Sequence, residues 1–141
     1  MKSIKTLIKL SKQQLDEKRR ELVECEKNKD KLLEYSRLMK EELKVEAEFA
    51  AKSPELAITF DNYRKTILEK QGNIVLAVRD LDRQIAVIAE EIREVFGEIK
   101  RYEVFLQQKR IEEEKELKDK ESKVLDAIAT DNYLREMVNK G

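Results

Sequence analysis

Residues 67–106 read ILEKQGNIVLAVRDLDRQIAVIAEEIREVFGEIKRYEVFL, and this stretch decides the fold. Stepping alternately by four and three from Ile67, the chain passes Gln71, Ile74, Val78, Leu81, Ile85, Ile88, Ile92, Val95, Ile99, Tyr102 and Leu106. Eleven of these twelve positions are apolar. An apolar residue every 3.5 positions on average is a coiled-coil seam, sustained here for more than five heptads. Ile85, Ile88, Ile92 and Val95 form an unbroken β-branched series suited to close packing against a facing helix, while Arg79, Asp82, Glu90 and Glu94 between the seam positions are charged.

Upstream, Ile4, Ile8, Leu15, Leu22, Cys25, Leu32, Met39 and Leu43 fall on one lattice of the same period. Ser11, Lys18, Lys29 and Ser36 occupy its other positions and weaken it. Such an arm needs a partner, because isolated helices draw most of their stability from packing an apolar face. Between the arms lies Ala50-Ala51-Lys52-Ser53-Pro54-Glu55, with the only proline of the chain. Ser53 as N-cap, Pro54 at the first helical position and Glu55 in the first turn make a helix start. Proline disfavours helix at the residue before it, so the first arm is expected to span about 3–52 and the second about 54–138. A connection this short favours an antiparallel hairpin with its turn near Ser53. The register agrees: Ile4 with Leu106 and Leu43 with Ile67 both total 110, so the two 40-residue seams run out together. The paired section would be about 60 Å long.

Composition points the same way. Of 141 residues, 43% are charged, with 30 basic and 30 acidic side chains, and there are only 3 Gly and 1 Pro. Hairpin turns of a sheet consume Gly, Asn or Asp, so a many-stranded fold is excluded. The expected class is all-α: an antiparallel two-helix coiled-coil hairpin, about 80–90% helix, in one domain, 1–141. Gly72 and Gly97 lie inside the second arm and are expected to be tolerated there.

Past Leu106 the run Glu112-Glu113-Glu114-Lys115-Glu116-Leu117-Lys118-Asp119-Lys120-Glu121 has almost no apolar face. Glu114, Glu116 and Asp119 each precede a lysine by four residues, the pairing that supports a solvated helix. An exposed helix overhanging the hairpin is expected, followed by an amphipathic end segment with Val124, Leu125, Ile128, Tyr133, Leu134, Met137 and Val138. Thr130-Asp131-Asn132 is a candidate break, and Asn139-Lys140-Gly141 should fray.

Missing residues exclude chemistry. Without His there is no imidazole base and no nitrogen-rich zinc site, and one cysteine, Cys25, makes neither an intrachain disulfide nor a thiolate cage. No catalytic, cofactor or metal site is expected, and an enzyme is not. The Glu112–Glu114 triplet reads as a solvated face, because helical carboxylates diverge, and Cys25 reads as a small seam hydrophobe. No apolar run spans a bilayer, and Lys5 and Lys9 interrupt the apolar start, so a cytoplasmic protein is read.

Two regions are candidate contact surfaces. Tyr35, Phe49, Phe60 and Tyr63 put four of the eight aromatics within 29 residues around the turn, with Met39 among them. They either fill the core there or anchor a partner. The first twenty residues carry seven bases (Lys2, Lys5, Lys9, Lys12, Lys18, Arg19, Arg20) against Asp16 and Glu17. They form either a solvated helix end or a docking patch, expected beside the apolar cluster at Leu125, Ile128 and Tyr133. Net charge is zero, which counts against nucleic acid.

The opening MKSIKTLIKLSKQQLDEKRREL, the break at SPELAITFDNY, the long seam and the run EIKRYEVFLQQKRIEEEKELKDKESKVLDAIATDNY together resemble the FliJ family. This is the coiled-coil component of the bacterial flagellar type III export apparatus, and the likeness is to its alphaproteobacterial branch. The most telling parts are Lys100-Arg101-Tyr102-Glu103 and the stretch Glu121–Ala129. The resemblance implies a stalk that enters the hexameric export ATPase, contacts the cytoplasmic part of the export gate membrane protein and escorts export chaperones. It also implies peripheral association with the cytoplasmic face of the inner membrane, with no nucleic acid and no small-molecule substrate. The family's gate-binding face corresponds to Asn28, Leu32, Tyr35 and Met39; Leu32 and Tyr35 match its pattern, while Asn28 and Met39 depart from it. Candidate partner-binding residues are therefore Leu32, Tyr35, Met39, Phe60 and Tyr63 near the turn, and Lys5, Lys9 and Lys12 at the N-terminus. A generic coiled-coil scaffold or oligomerisation protein is the alternative.

Overall fold

The computed structural model describes residues 2–140 as two helices, α1 (Lys2–Ala50) and α2 (Pro54–Lys140), of 49 and 87 residues. The readings made for Gly141 and for the side chain of Lys2 lie outside the described residues. Helix accounts for 98% of the described residues, above the expected 80–90%, and no strand occurs among them. Near the end of α2, Thr130-Asp131-Asn132 does not break the helix. Instead Asp131 accepts an ion pair from Arg135 at 3.2 Å, one turn on.

Three residues make the connection. Ala51 N–H still donates to Ala47 at 3.1 Å, then Lys52 and Ser53 donate to Phe49 and Ala50 in a tightened last turn. The Ser53 carbonyl accepts from Ala57 N–H at 3.2 Å, which places Ser53 as N-cap and Pro54 at the first helical position. Among the described residues none has a positive φ, so no glycine is required at the turn.

Contacts divide the chain into two compact units, 12–96 and a second made of 1–11 with 97–141. In unit 12–96 the helices pack antiparallel. Met39 at 3%, Ile67 at 5% and Ile74 at 9% exposure form its core, with Leu32, Leu43, Tyr63 and Val78 packed against them. Leu15 and Val95 are buried as well. Four side-chain pairs that cross between the helices total 107 for Ser36–Gln71, 109 for Lys18–Glu91 and Cys25–Gln84, and 111 for Lys29–Asp82, all within a turn of the predicted 110. A fifth, the longer Glu42–Tyr63 contact near the turn, totals 105. Ile85, Ile88 and Ile92, expected at the centre of the seam, are only half-buried.

Near the turn the sheltered positions depart from strict alternation. They run Ser36, Met39, Leu43, Ala47, Ala50 on α1 and Phe60, Tyr63, Ile67, Gln71, Ile74 on α2, each with two successive steps of four. An insertion of this kind locally unwinds a coiled coil. It sits at matching heights on both helices, so the packing stays in register.

In the other unit, Ile4, Ile8 and Ser11 on α1 face Ile99, Tyr102 and Leu106 on α2 as sheltered seam side chains, with Ser11 and Ile99 buried. Every described residue from Gln107 onward is exposed, which is the expected overhanging helix. The three acid-before-lysine pairs expected at Glu114, Glu116 and Asp119 are not closed. Solvated side chains gain little from holding one geometry.

Candidate partner-binding surfaces

Polar residues on the seam pair with one another across unit 12–96. Gln71, the one polar position on the α2 lattice, donates from Nε2 to the Ser36 carbonyl at 2.9 Å and accepts from Ser36 Oγ. Lys29 reaches Asp82 at 2.7 Å, and Lys18 pairs with Glu91. Hydrogen bonds to these carboxylates are the main cause of raised pKa values at both lysines. The half-buried Cys25 points its thiol at Gln84 Oε1, 3.7 Å away, a weak contact of a seam thiol. Among the described residues no buried side-chain nitrogen or oxygen lacks a partner. These pairs belong to the shaft and fix its register.

The turn region carries the surface of interest. On α1, Tyr35, Leu38, Val45 and Phe49 are all exposed, and with Glu42 they recur every three or four residues along one face. This is a second heptad-spaced stripe, offset from the seam. On α2, Leu56, Thr59, Phe60 and Tyr63 share a face by the same spacing. Between the two faces runs an open groove. One hollow of about 320 Å³ is lined by Phe49, Ala50, Leu56, Thr59, Phe60, Tyr63 and Glu46. A second of about 430 Å³ is lined by Leu38, Glu41, Glu42, Val45, Glu46 and Tyr63. Glu46 and Tyr63 border both, so the hollows adjoin. The Tyr63 hydroxyl meets Glu42 at 3.5 Å, and partial burial with the Glu42 and Glu46 charges raises its pKa.

Of the residues proposed for this surface, Phe60 and Tyr63 line the groove and Tyr35 is exposed beside it. Met39 is corrected: it is the most buried residue of the core and offers no side chain to a partner. Leu32 packs against the same core and is half-buried. Asn28, Leu32, Tyr35 and Met39 do share a helical face, but that face turns inward at Leu32 and Met39 because both are seam positions. Sequence reasoning missed Leu38 and Val45. Their signal was the three-and-four spacing from Tyr35 to Phe49, hidden by Glu42 at its midpoint.

Lys5 and Lys9, in the unit containing both termini, are exposed, as is Lys12 in the other unit. Lys5 and Lys9 do not meet the apolar cluster at Leu125, Ile128 and Tyr133, which corrects that expectation. Ile4 stands opposite Leu106 in the register, and Leu125 lies nineteen residues further along α2, about 28 Å. The cluster is uncovered: Leu125 is 66% and Val138 78% exposed. Among the described residues no helix is long and apolar enough to cross a membrane, and no cluster of three or more carboxylate and thiol side chains is placed to hold a metal ion. No family model matches the chain, and neither does any curated protein or solved structure.

Proposed function

We propose that this chain is a non-enzymatic stalk and escort protein of the flagellar type III export apparatus, linking the export ATPase hexamer to the export gate and handling export chaperones. The reading rests on the sequence resemblance to the FliJ family. The observation that carries it furthest is an antiparallel hairpin whose shaft is closed by mutual polar pairs and whose turn keeps large apolar side chains in solvent. A spacer with a specialised turn suits a protein that couples two machines. The groove beside Tyr35, Phe60 and Tyr63 suits the gate, since aromatics anchor a partner at low entropic cost. Exposed Lys5 and Lys9 suit acidic loops lining a ring, which they can follow without fixing one rotational state.

A scaffold or oligomerisation protein is the second reading, favoured by the uncovered apolar side chains of α2 from Val124 to Val138. Capture of the export ATPase and gate from cell lysate by the tagged full chain tests the first reading. Their recovery supports it; their absence, with a self-associating chain in sedimentation, supports the scaffold instead.

A further inference from the structure

We infer that the groove beside the turn is a docking site for a basic amphipathic helix, seated as a third strand against α1 and α2. The inference names the chemistry of the partner at the surface assigned above to the gate, and rests on that reading only for the partner's identity. Three observations carry it. First, shape: Leu38, Val45 and Phe49 on α1 face the groove at intervals of seven and four, and Leu56, Phe60 and Tyr63 face it from α2. Two parallel ridges of this spacing accept the side chains of a third helix, as the holes of a coiled coil accept knobs. From Leu38 to Phe49 the α1 ridge is about 17 Å long, three helical turns.

Second, the apolar side chains are far out of water's favour. Phe49 is 56% and Leu38 45% exposed, on a face where the seam has already buried its own residues. Third, the rim is acidic. Residues 41–48 contain Glu41, Glu42, Glu46 and Glu48 against Lys44. Of the three that border the groove, Glu41 is paired with Arg37 at 2.7 Å, and Glu42 and Glu46 have no ion-pair partner among the described residues, forming its acidic edge. Lys52 already lays its ammonium over the Phe49 ring at 5.4 Å, the kind of contact an incoming cation would find there. An acidic or neutral helix would gain the apolar contact and meet like charge along its flanks. A helix with apolar anchors at i, i+3/i+4 and i+7 and Lys or Arg at its flanks gains both.

The test uses the full chain and two fluorescein-labelled peptides of about four helical turns. Both carry Leu at the anchor positions; one has Lys at the flanks and the other Glu. Anisotropy titrations should show the Lys peptide binding at least about tenfold tighter, with the preference shrinking as salt is raised. Phe49→Ala and Val45→Ala, both at exposed positions, should weaken binding severalfold while circular dichroism stays unchanged. Glu41→Lys with Glu46→Lys should invert the preference. Equal affinities, no binding up to about 1 mM, or indifference to Phe49→Ala would overturn the proposal. So would a dimer of the chain that Phe49→Ala dissociates, since the occupant would then be a second copy. The peptides contain no export protein, so their failure leaves the export role standing on another surface. Failure of the gate to bind leaves the chemistry of the groove in place.

Discussion

Gln71 and Ser36 show how single residues set the pairing of this chain. Each is a polar exception on its own lattice, and each satisfies the other across the hairpin. Lys18 and Lys29, polar exceptions on the α1 lattice, instead reach Glu91 and Asp82, which flank the α2 seam. Replacing Gln71 by Leu should therefore leave helix content intact and loosen the register, so that cysteine pairs one heptad out of step cross-link as well as native ones. Retention of a single register would show that the polar pair is dispensable. Charge gives a second prediction at this scale. The raised pKa values of Lys18 and Lys29 mean that their contribution is complete below pH 10.5 and lost as pH climbs through the raised values. The lowered pKa of Glu34, held chiefly by the Arg37 hydrogen bond, means its contribution is present above pH 4.5 and lost as pH falls through the lowered value. With no His, the melting temperature should be flat across roughly pH 6 to 9. A shift of many degrees inside that window would contradict this assignment. Glycine gives a third. A Cβ at Gly72 would meet nothing within 4 Å, and at Gly97 only Arg101 Nη1 at 3.7 Å. Neither has a positive φ. Alanine at either should stabilise by about 0.8–1.0 kcal/mol, and a lower melting temperature for both would expose a packing role.

At the scale of the two helices, burial ranks the seam. Ile67 and Ile74 are buried beside Met39, whereas Ile85, Ile88 and Ile92 remain half-exposed. Ile74→Ala should cost about 2–3 kcal/mol and Ile88→Ala about 1–2 kcal/mol, read by thermal or urea melting. The reverse order would mean that the tightest packing lies elsewhere. The hairpin itself was legible because period, break and register are all local or arithmetic features: the alternation from Ile67, the Ser53-Pro54-Glu55 start, and the common total of 110. What was not legible was the double step of four at Met39–Leu43–Ala47 and Tyr63–Ile67–Gln71. The lattice read from sequence stops at Leu43 and begins at Ile67 for that reason, since Ala47 is too small to signal a seam. The candidate break near the end of α2 did not form, for a separate reason. Thr130-Asp131-Asn132 is a weak breaker locally, but a helix already propagating needs only one more hydrogen bond per residue.

For the molecule as a whole, the two proposed contact surfaces differ in how far the sequence disclosed their exposure. The lysines Lys5, Lys9 and Lys12 are exposed as a charged helix end must be, because burying an ammonium is costly. Around the turn, an aromatic or a methionine is equally suited to core and to partner, and only the fold separates Met39, which is buried, from Tyr35 and Phe49, which are not. The proposal of a stalk with two separate contact surfaces is tested most directly by one set of binding measurements. Purified export ATPase and the cytoplasmic part of the gate are each titrated with the native chain, with the Tyr35→Ala, Tyr63→Ala variant, and with the Lys5→Glu, Lys9→Glu, Lys12→Glu variant. The account predicts that the tyrosine variant loses the gate and keeps the ATPase, while the lysine variant does the reverse. Equal loss of both partners in both variants, with helix content intact, would contradict it.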